Sequence, residues 1–302
     1  MRVLSLIASS TEIIYALDCG DMLVGRSHEC DYPSEVKELP FCTEPRFNVE
    51  GTSSEIDKRV KSILQQALSV YRIDEKKLLE IQPDLIITQS QCAVCAVSIH
   101  DVEKSVSNLT GIKPKIISLK PNKLEDILKD IGTVAVSLEV DKKGHDLVSL
   151  LKDKFDTISQ STNHLVKKSI ACIEWIEPMM AAGNWVPELV EMAGGTNLFG
   201  KKGEHSSLMD LEDLSKKDPD KIIVMPCGYD INKTRIEMKT LENNPSWIRL
   251  RAVANNQVFL TDGNQYFNRP GPRLSESLEI LAEIIHEEDF NFGHKGSGWE
   301  VY

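Results

Sequence analysis

Four cysteines stand just past apolar runs that read as strands: Cys30 after residues 22–25, Cys92 and Cys95 after PDLIITQ, and Cys227 after DKIIVMP. A parallel sheet delivers the C-terminal ends of its strands to one rim, so the four thiols are expected at edges where sites are built. Thiolates bind soft and borderline metals, and a C-x-x-C spacing lets two sulfurs reach one ion from a single turn. A zinc ribbon needs a second C-x-x-C, which is absent, and a thioredoxin-type motif should open a helix after the first strand of a smaller domain. A [4Fe-4S] cluster, or another thiolate-bound metal, on Cys30, Cys92, Cys95 and Cys227 is the metal reading these residues permit, in an iron-sulfur protein or enzyme. The opposing reading, that such thiols are small buried hydrophobes, weighs most on Cys227. Cys19 and Cys42 look incidental.

Other chemistry-bearing residues fall beside the same expected edges. His28 and Glu29 adjoin Cys30, although alternate positions of an extended segment point opposite ways, so at most two of the three face one ligand. In the second half, CIEWIEP and AAGNWVPELVE place Glu174, Trp175, Asn184 and Trp185 around strand and helix termini. Two tryptophans there offer flat apolar walls with a polar handle, and each is as readily a core contact. In GNQYFNRPGPR, Pro270, Gly271 and Pro272 make a rigid loop before a helix, while Asn264, Tyr266, Asn268 and Arg269 supply polar contacts. No Ser-His-Asp order, phosphate-cradling glycine loop or H-E-x-x-H is present, so a standard hydrolase or nucleotide enzyme lacks support.

The elements that must position these residues follow an α/β alternation. A strand at residues 3–7 leads to a capping box, Ser9 with Glu12, and a short helix. Helical spacing covers residues 54–71, and Asp74 is placed to cap a helix reaching Ile81. Residues 141–168 hold no proline, one glycine, and apolar positions at Leu147, Leu150, Leu151, Phe155 and Ile158, which predicts one long amphipathic helix. The pattern then restarts, and IQPDLIITQSQC echoes KDPDKIIVMPCG, as two similar lobes would. The expected division is therefore an N-terminal α/β lobe over 1–140, the connecting helix over 141–168, and a C-terminal lobe over 169–302 whose glycine-rich tail lies over the surface.

A net charge of −11 over 302 residues argues against nucleic acid, because phosphate binding draws on Lys and Arg. No run approaches the roughly 20 apolar residues that span a bilayer. The opening segment lacks the marks of an export leader, and seven dispersed cysteines favour reduced thiols. A cytoplasmic location is the expectation.

The segments RVLSLIASSTEIIYAL, VGRSHECDYP, IQPDLIITQ, GNWVPELVEMAGGTNLFG, KDPDKIIV and GNQYFNRPGPRL, in this order, resemble the class III periplasmic binding proteins for vitamin B12 and iron siderophores, and most of all a leaderless cobalamin-binding branch. The resemblance spans nearly the whole chain. It implies two Rossmann-like lobes with parallel-rich sheets, joined by a long rigid α-helix, with a small-molecule ligand held in the cleft between them. Non-covalent binding of cobalamin or a related corrinoid is the function it implies, a siderophore or haem being the further alternative. It places Tyr32 in the family's Asp-Tyr-Pro turn, Tyr266 where an exported B12 binder has an aromatic, and Arg269 where that binder has an arginine. Trp175, Trp185 and Tyr266 would then flank the macrocycle, with Asn184, Asn264 and Arg269 on its amide and phosphate edge and His28 or a cysteine near the metal. Acidic residues in this family dock onto an ABC permease, and Glu212 is a candidate for one, although the missing leader counts against delivery to a transporter. Gln265 departs from the family in standing where that binder is acidic, and QCAVC has no counterpart in the exported proteins.

Overall fold

A computed structural model describes residues 1–66, 69–90, 98–107 and 113–302. The chain forms two compact units, one of residues 1–51, 55–121 and 125–149, the other of 52–54, 122–124 and 150–302. Both are α/β, as expected.

The strands of the first unit are β1 (Val3–Ser5), β2 (Leu23–Arg26), β3 (Thr43–Pro45), β4 (Tyr71–Ile73), β5 (Leu85–Gln89) and β6 (Lys115–Leu119). The order β2-β1-β5-β6 makes a wholly parallel sheet. Such a sheet is covered on both faces, and β1 (VLS) and β5 (LIITQ), apolar but for their last residues, are buried throughout. The helices are α1 (Ala8–Ala16), α2 (Ser53–Gln65, its first turn in the second unit), α3 (Glu75–Ile81), α4 (Ile99–Ser107), α5 (Leu124–Ser137, its first residue in the second unit) and α6 (Asp141–Thr162), which runs on into the second unit. Asp74 caps α3 as its sequence position predicts, accepting from the backbone N–H groups of Lys76 and Lys77.

The second unit contains β7 (Lys168–Trp175), β8 (Met180–Ala181), β9 (Gly195–Asn197), β10 (Ser207–Leu208), β11 (Lys221–Val224), β12 (Val258–Thr261) and β13 (Trp299–Val301), ordered β10-β8-β7-β11-β12-β13 with β9 beside β7. Its further helices are α7 (Val186–Met192), α8 (Leu211–Lys217), α9 (Ile231–Glu242), α10 (Pro245–Ile248), α11 (Arg251–Ala254) and α12 (Leu274–Ile285). One side of the sheet buries Ile173, Ile222, Val224 and Leu260 against Met238, Trp247 and Leu250. Among the described residues no helix is long and apolar enough to cross a membrane.

The internal echo in the sequence has a structural counterpart. α3 and α8 each end on a non-glycine residue in the left-handed region, Gln82 at φ 46° and Asp218 at φ 41°, followed by Pro-Asp and a strand. In both copies the aspartate ties its strand to the neighbouring one: Asp84 accepts from Arg2 N at 2.7 Å, and Asp220 from Ser169 N at 2.8 Å.

Four expectations are corrected. The capping box at Ser9 does not form. β1 passes into α1 within two residues, so Ser9 lies inside the first turn and extended Ile7 is an N-cap without a side-chain bond. Residues 54–71 are not one helix: α2 stops at Gln65 and Tyr71 begins β4, where antiparallel pairing with β3 outweighs the helical spacing. Ala67 and Leu68 lie outside the described residues. The long helix ends at Thr162 rather than 168, with the Thr162 hydroxyl bonding outward to Met192 O at 2.9 Å. Finally, the glycine-rich tail is not a surface cover, because residues 299–301 add an edge strand to β12 and Trp299 is buried.

Asp130 on α5 is a half-buried acid at odds with its surroundings. Burial pushes its carboxyl up to about 7, against the pull of a bond from the Lys120 backbone, and Oδ2 has no hydrogen-bond partner. The folded state favours the neutral form, so stability is greatest below 3.8 and falls as pH rises through about 7. Asp130→Asn is expected to be about 1–2 kcal/mol more stable than the parent at pH 8, discounting for partial exposure, and indistinguishable from it at pH 4. Urea unfolding at the two pH values checks this.

Candidate functional site

β7, β11 and β12 are adjacent and parallel, so their C-terminal ends open on one edge of the second unit. The loops leaving them are stitched by Cys227 N donating to Glu174 O at 3.3 Å and Asn264 N to Tyr229 O at 3.1 Å. Gly263 permits the closest approach, since a Cβ there would lie 2.2 Å from Pro226 O. On this edge the half-buried Trp175 meets Tyr229, ring centroids 5.3 Å apart and tilted by 55°. Lys233 Nζ sits 4.1 Å over the Tyr229 ring. The Tyr229 hydroxyl is buried without a hydrogen-bond partner, and burial, then the charge of Glu237, holds its phenol well above the ordinary range. Sequence reasoning passed over Tyr229. Its signal was the Gly-Tyr-Asp step after a strand, in which Asp230 caps α9.

The loop after β12 sets charges against neutral amides. Asp262 accepts from Gln265 N at 2.8 Å and Gln265 Nε2 at 3.1 Å, and burial raises its carboxyl above the ordinary range while those bonds pull it back. Gln265 Oε1 accepts from Arg273 Nη1 at 3.2 Å. Arg269 is buried and donates Nη2 to Asn264 Oδ1 at 3.1 Å. Asn268 spans the two loops, donating to Met225 O at 3.0 Å and Gly263 O at 2.9 Å. Tyr266 is half-buried, with the Arg273 guanidinium 5.3 Å over its ring.

Glu174, Trp175, Cys227, Asn264, Tyr266 and Arg269 are thus gathered at one rim of this unit. Glu174 Oε2 accepts from Ser206 Oγ at 2.7 Å. Asn184 holds a left-handed conformation, φ 53°, with its backbone bonded to Gly203 and Glu204 and its Oδ1 buried without a partner. Trp185 departs from the expectation of a ligand wall: it is 4% exposed, and its indole N–H donates to Phe267 O at 2.7 Å behind the rim. Glu212 stands exposed in the first turn of α8, paired with Lys216 at 2.7 Å.

At the rim of the first unit, Arg26 is the organiser. Its guanidinium donates to the carbonyls of Ser27, Cys30, Lys37 and Leu39, which shapes the loop bearing His28, Glu29 and Tyr32. His28 Nδ1 lies 2.7 Å from Thr43 Oγ1 and its ring packs on Tyr71 at 5.0 Å. Its Nε2 is 3.1 Å from Glu29 Oε1, an ionic distance without hydrogen-bond alignment. Tyr32 is 43% exposed. Ser9 Oγ, at the head of α1, is buried without a partner, a second feature missed because Ser9 read as a cap.

The cysteine set does not assemble a metal site among the described residues, where no group of three or more His, Cys, Asp and Glu could hold an ion. Cys30 is buried and its sulfur lies 3.0 Å from Thr11 Oγ1. Cys227 is exposed, and Cys92 and Cys95 lie outside the described residues. Burial pushes the Cys42 and Cys172 thiols up to about 12, which keeps them protonated and chemically inert.

Residues 3–265 match the periplasmic binding protein family. The chain belongs to this family. Its members bind small-molecule ligands and usually dock with ABC permeases, and the two-unit α/β architecture with parallel-rich sheets is the class III form of the fold. This periplasmic-binding-protein chain is 23% identical over 296 residues to the uncharacterized ABC transporter substrate-binding lipoprotein YvrC of Bacillus subtilis, covering 96% of this chain and 81% of that one. It is 23% identical over 292 residues to the vitamin B12-binding protein of Vibrio cholerae, covering 94% and 88%. The periplasmic heme-binding protein RhuT from Roseiflexus sp. RS-1, in apo form, superposes with a TM-score of 0.70 at 19% identity over 95% of this chain and 98% of that one.

Proposed function

We propose that this chain binds cobalamin or a related corrinoid at the rim of its second unit. The carrying observation is that this rim sets an aromatic pair, Trp175 and Tyr229, beside a loop whose charges face amides: Arg269 on Asn264, and Asp262 and Arg273 on Gln265. A corrinoid is a wide, largely apolar disc fringed by amides, which calls for flat walls and neutral hydrogen bonds more than for charge. The vitamin B12-binding relatives support the same ligand. Trp175 is the wall, Tyr266 the second aromatic, and Asn264 with Arg269 the polar edge.

Haem is the second reading, supported by the phenol of Tyr32, exposed on the first unit and able to serve as an oxygen ligand to ferric iron, and by the likeness to a heme-binding structure.

Titration of the purified chain with cyanocobalamin, followed by tryptophan fluorescence, is expected to give saturable quenching with micromolar or tighter affinity. Trp175→Ala should weaken it about 10- to 100-fold and Trp175→Phe much less. A Soret shift with haemin that Tyr32→Phe abolishes, without cyanocobalamin binding, replaces the first reading by the second. Saturation with neither ligand refutes both.

A further inference from the structure

The family match ends at residue 265, and the chain beyond it folds back onto the loop that carries the proposed ligand contacts. β13 runs antiparallel to β12, pairing Thr261 with Trp299. The next residue, Asp262, donates its N–H to Gly298 O at 3.0 Å, so the tail holds the first residue of the rim loop. Within the tail His294 is fixed at its backbone. Its carbonyl accepts from Gly298 N at 2.7 Å and Ser297 N at 3.2 Å, and its N–H reaches Glu283 Oε1 at 3.3 Å. The imidazole that leaves this anchored turn has two neighbours. Nε2 lies 2.8 Å from Glu279 Oε2, with only 15% and 18% of the two side chains exposed, and the ring meets Tyr266 in an edge contact, centroids 6.2 Å apart at 71°.

We infer that His294 is a positioning residue for the ligand-binding rim: anchored by Glu279, its cationic ring holds Tyr266 in place, and loss of its proton loosens that hold. The ligand in this statement rests on the corrinoid reading above, whereas the coupling of His294 to Tyr266 belongs to the chain itself. A cationic imidazole whose edge meets the face of an aromatic ring attracts it more strongly than a neutral one does. The carboxylates facing His294 favour the cation, whereas the nearby cations do not. α12 contributes Glu279, Glu283 and Glu276, of which the hydrogen bond that the imidazole donates to Glu279 is the largest influence in raising it above its ordinary range, against the lowering effect of burial. The tail itself contributes Lys295, which lies over Trp299 at 5.0 Å. The rim loop contributes Arg273, over Tyr266 at 5.3 Å. Because the folded-state value is raised, the contact is complete in acid and is lost as pH rises through that raised value.

Two measurements test the inference. In proton NMR of the ligand-free chain, the Tyr266 ring signals, assigned by their loss in Tyr266→Leu, are expected to shift with the midpoint of the His294 Cε1 proton. Glu279→Gln should move both midpoints to lower pH. In the titration with cyanocobalamin, affinity is expected to fall about two- to fivefold between pH 6 and pH 9, and His294→Gln, its fold verified by urea unfolding, should abolish that slope while still binding. Tyr266 signals that stay flat while His294 titrates, or an unchanged slope in His294→Gln, overturn the inference. If cyanocobalamin does not bind but the two NMR midpoints coincide, the ligand reading fails and the coupling stands.

Discussion

Glu283→Gln is expected to lower the unfolding free energy by about 3–4 kcal/mol and to release the C-terminal strand. Glu283 is 2% exposed, on α12, and its side-chain hydrogen bonds run to the tail. Oε1 accepts from the backbone N–H groups of Phe292, Gly293 at 2.7 Å and His294 at 3.3 Å, and Oε2 from Trp299 Nε1 at 2.6 Å. All four partners are donors, so glutamine of the same shape turns an NH2 toward one set of them and leaves buried donors facing a donor. Bonds to a charged acceptor contribute about 1.5–3 kcal/mol each, and an orphaned buried donor costs about 1–3 kcal/mol. The Trp299 indole, which packs edge-on against Phe259 at 5.7 Å, then loses its anchor. Urea unfolding should show the loss, and limited proteolysis should cut between residues 287 and 298 in the variant alone. Equal stability of the two proteins would mean that packing of Trp299, rather than the carboxylate, holds the tail.

Arg26→Lys is expected to cost about 2–3 kcal/mol and to disorder the rim loop of the first unit. Arg26 is 9% exposed and serves four carbonyls, those of Leu39 at 3.1 Å, Ser27 at 3.2 Å, Cys30 at 3.0 Å and Lys37 at 3.3 Å. These lie on both flanks of the turn that carries Tyr32, and only a planar fork with donors on three nitrogens spans them. A lysine keeps the charge but presents one ammonium, which leaves at least one carbonyl unserved in a buried place. The guanidinium also lies 5.6 Å over Phe41. Hydrogen exchange should quicken across residues 27–40 while β5 and β6 keep their protection. Unaltered exchange in that loop would show that the isolated bridge between Arg26 and Phe41, with the backbone bonds flanking it, suffices.

Both substitutions bear on the binding reading without touching a ligand. The Glu283 anchor holds the segment that restrains Asp262 and Tyr266, and the Arg26 fork holds the segment that presents His28 and Tyr32. Each rim is therefore positioned by a buried charge that binds backbone groups of the segment beside it rather than the ligand.

Much of the fold was legible locally. Short apolar runs located β1, β5, β7 and β11, the 3.6-residue spacing located α6, and Asp74 marked a helix start, because hydrogen-bond period and capping depend on neighbours within a few residues. The repeated Pro-Asp step before β5 and β11 was visible for the same reason. Order in the chain also identified the family, since its motifs are distributed over nearly the whole length.

What the tertiary structure decided was exposure. Trp175 and Trp185 look alike in the sequence, ten residues apart beside polar neighbours, yet one stands on the rim against Tyr229 and the other is covered, its indole bonded to Phe267. Cys30 follows a strand as a ligand should, but its sulfur turns inward to Thr11. The tail reads as a polar, glycine-rich cover until Glu283 is placed opposite Trp299. In each case the deciding partner lies 16 to 82 residues away. Periodicity records only that a side chain is apolar or polar, whereas the loop that packs over it determines whether it meets a ligand, a core or a carboxylate.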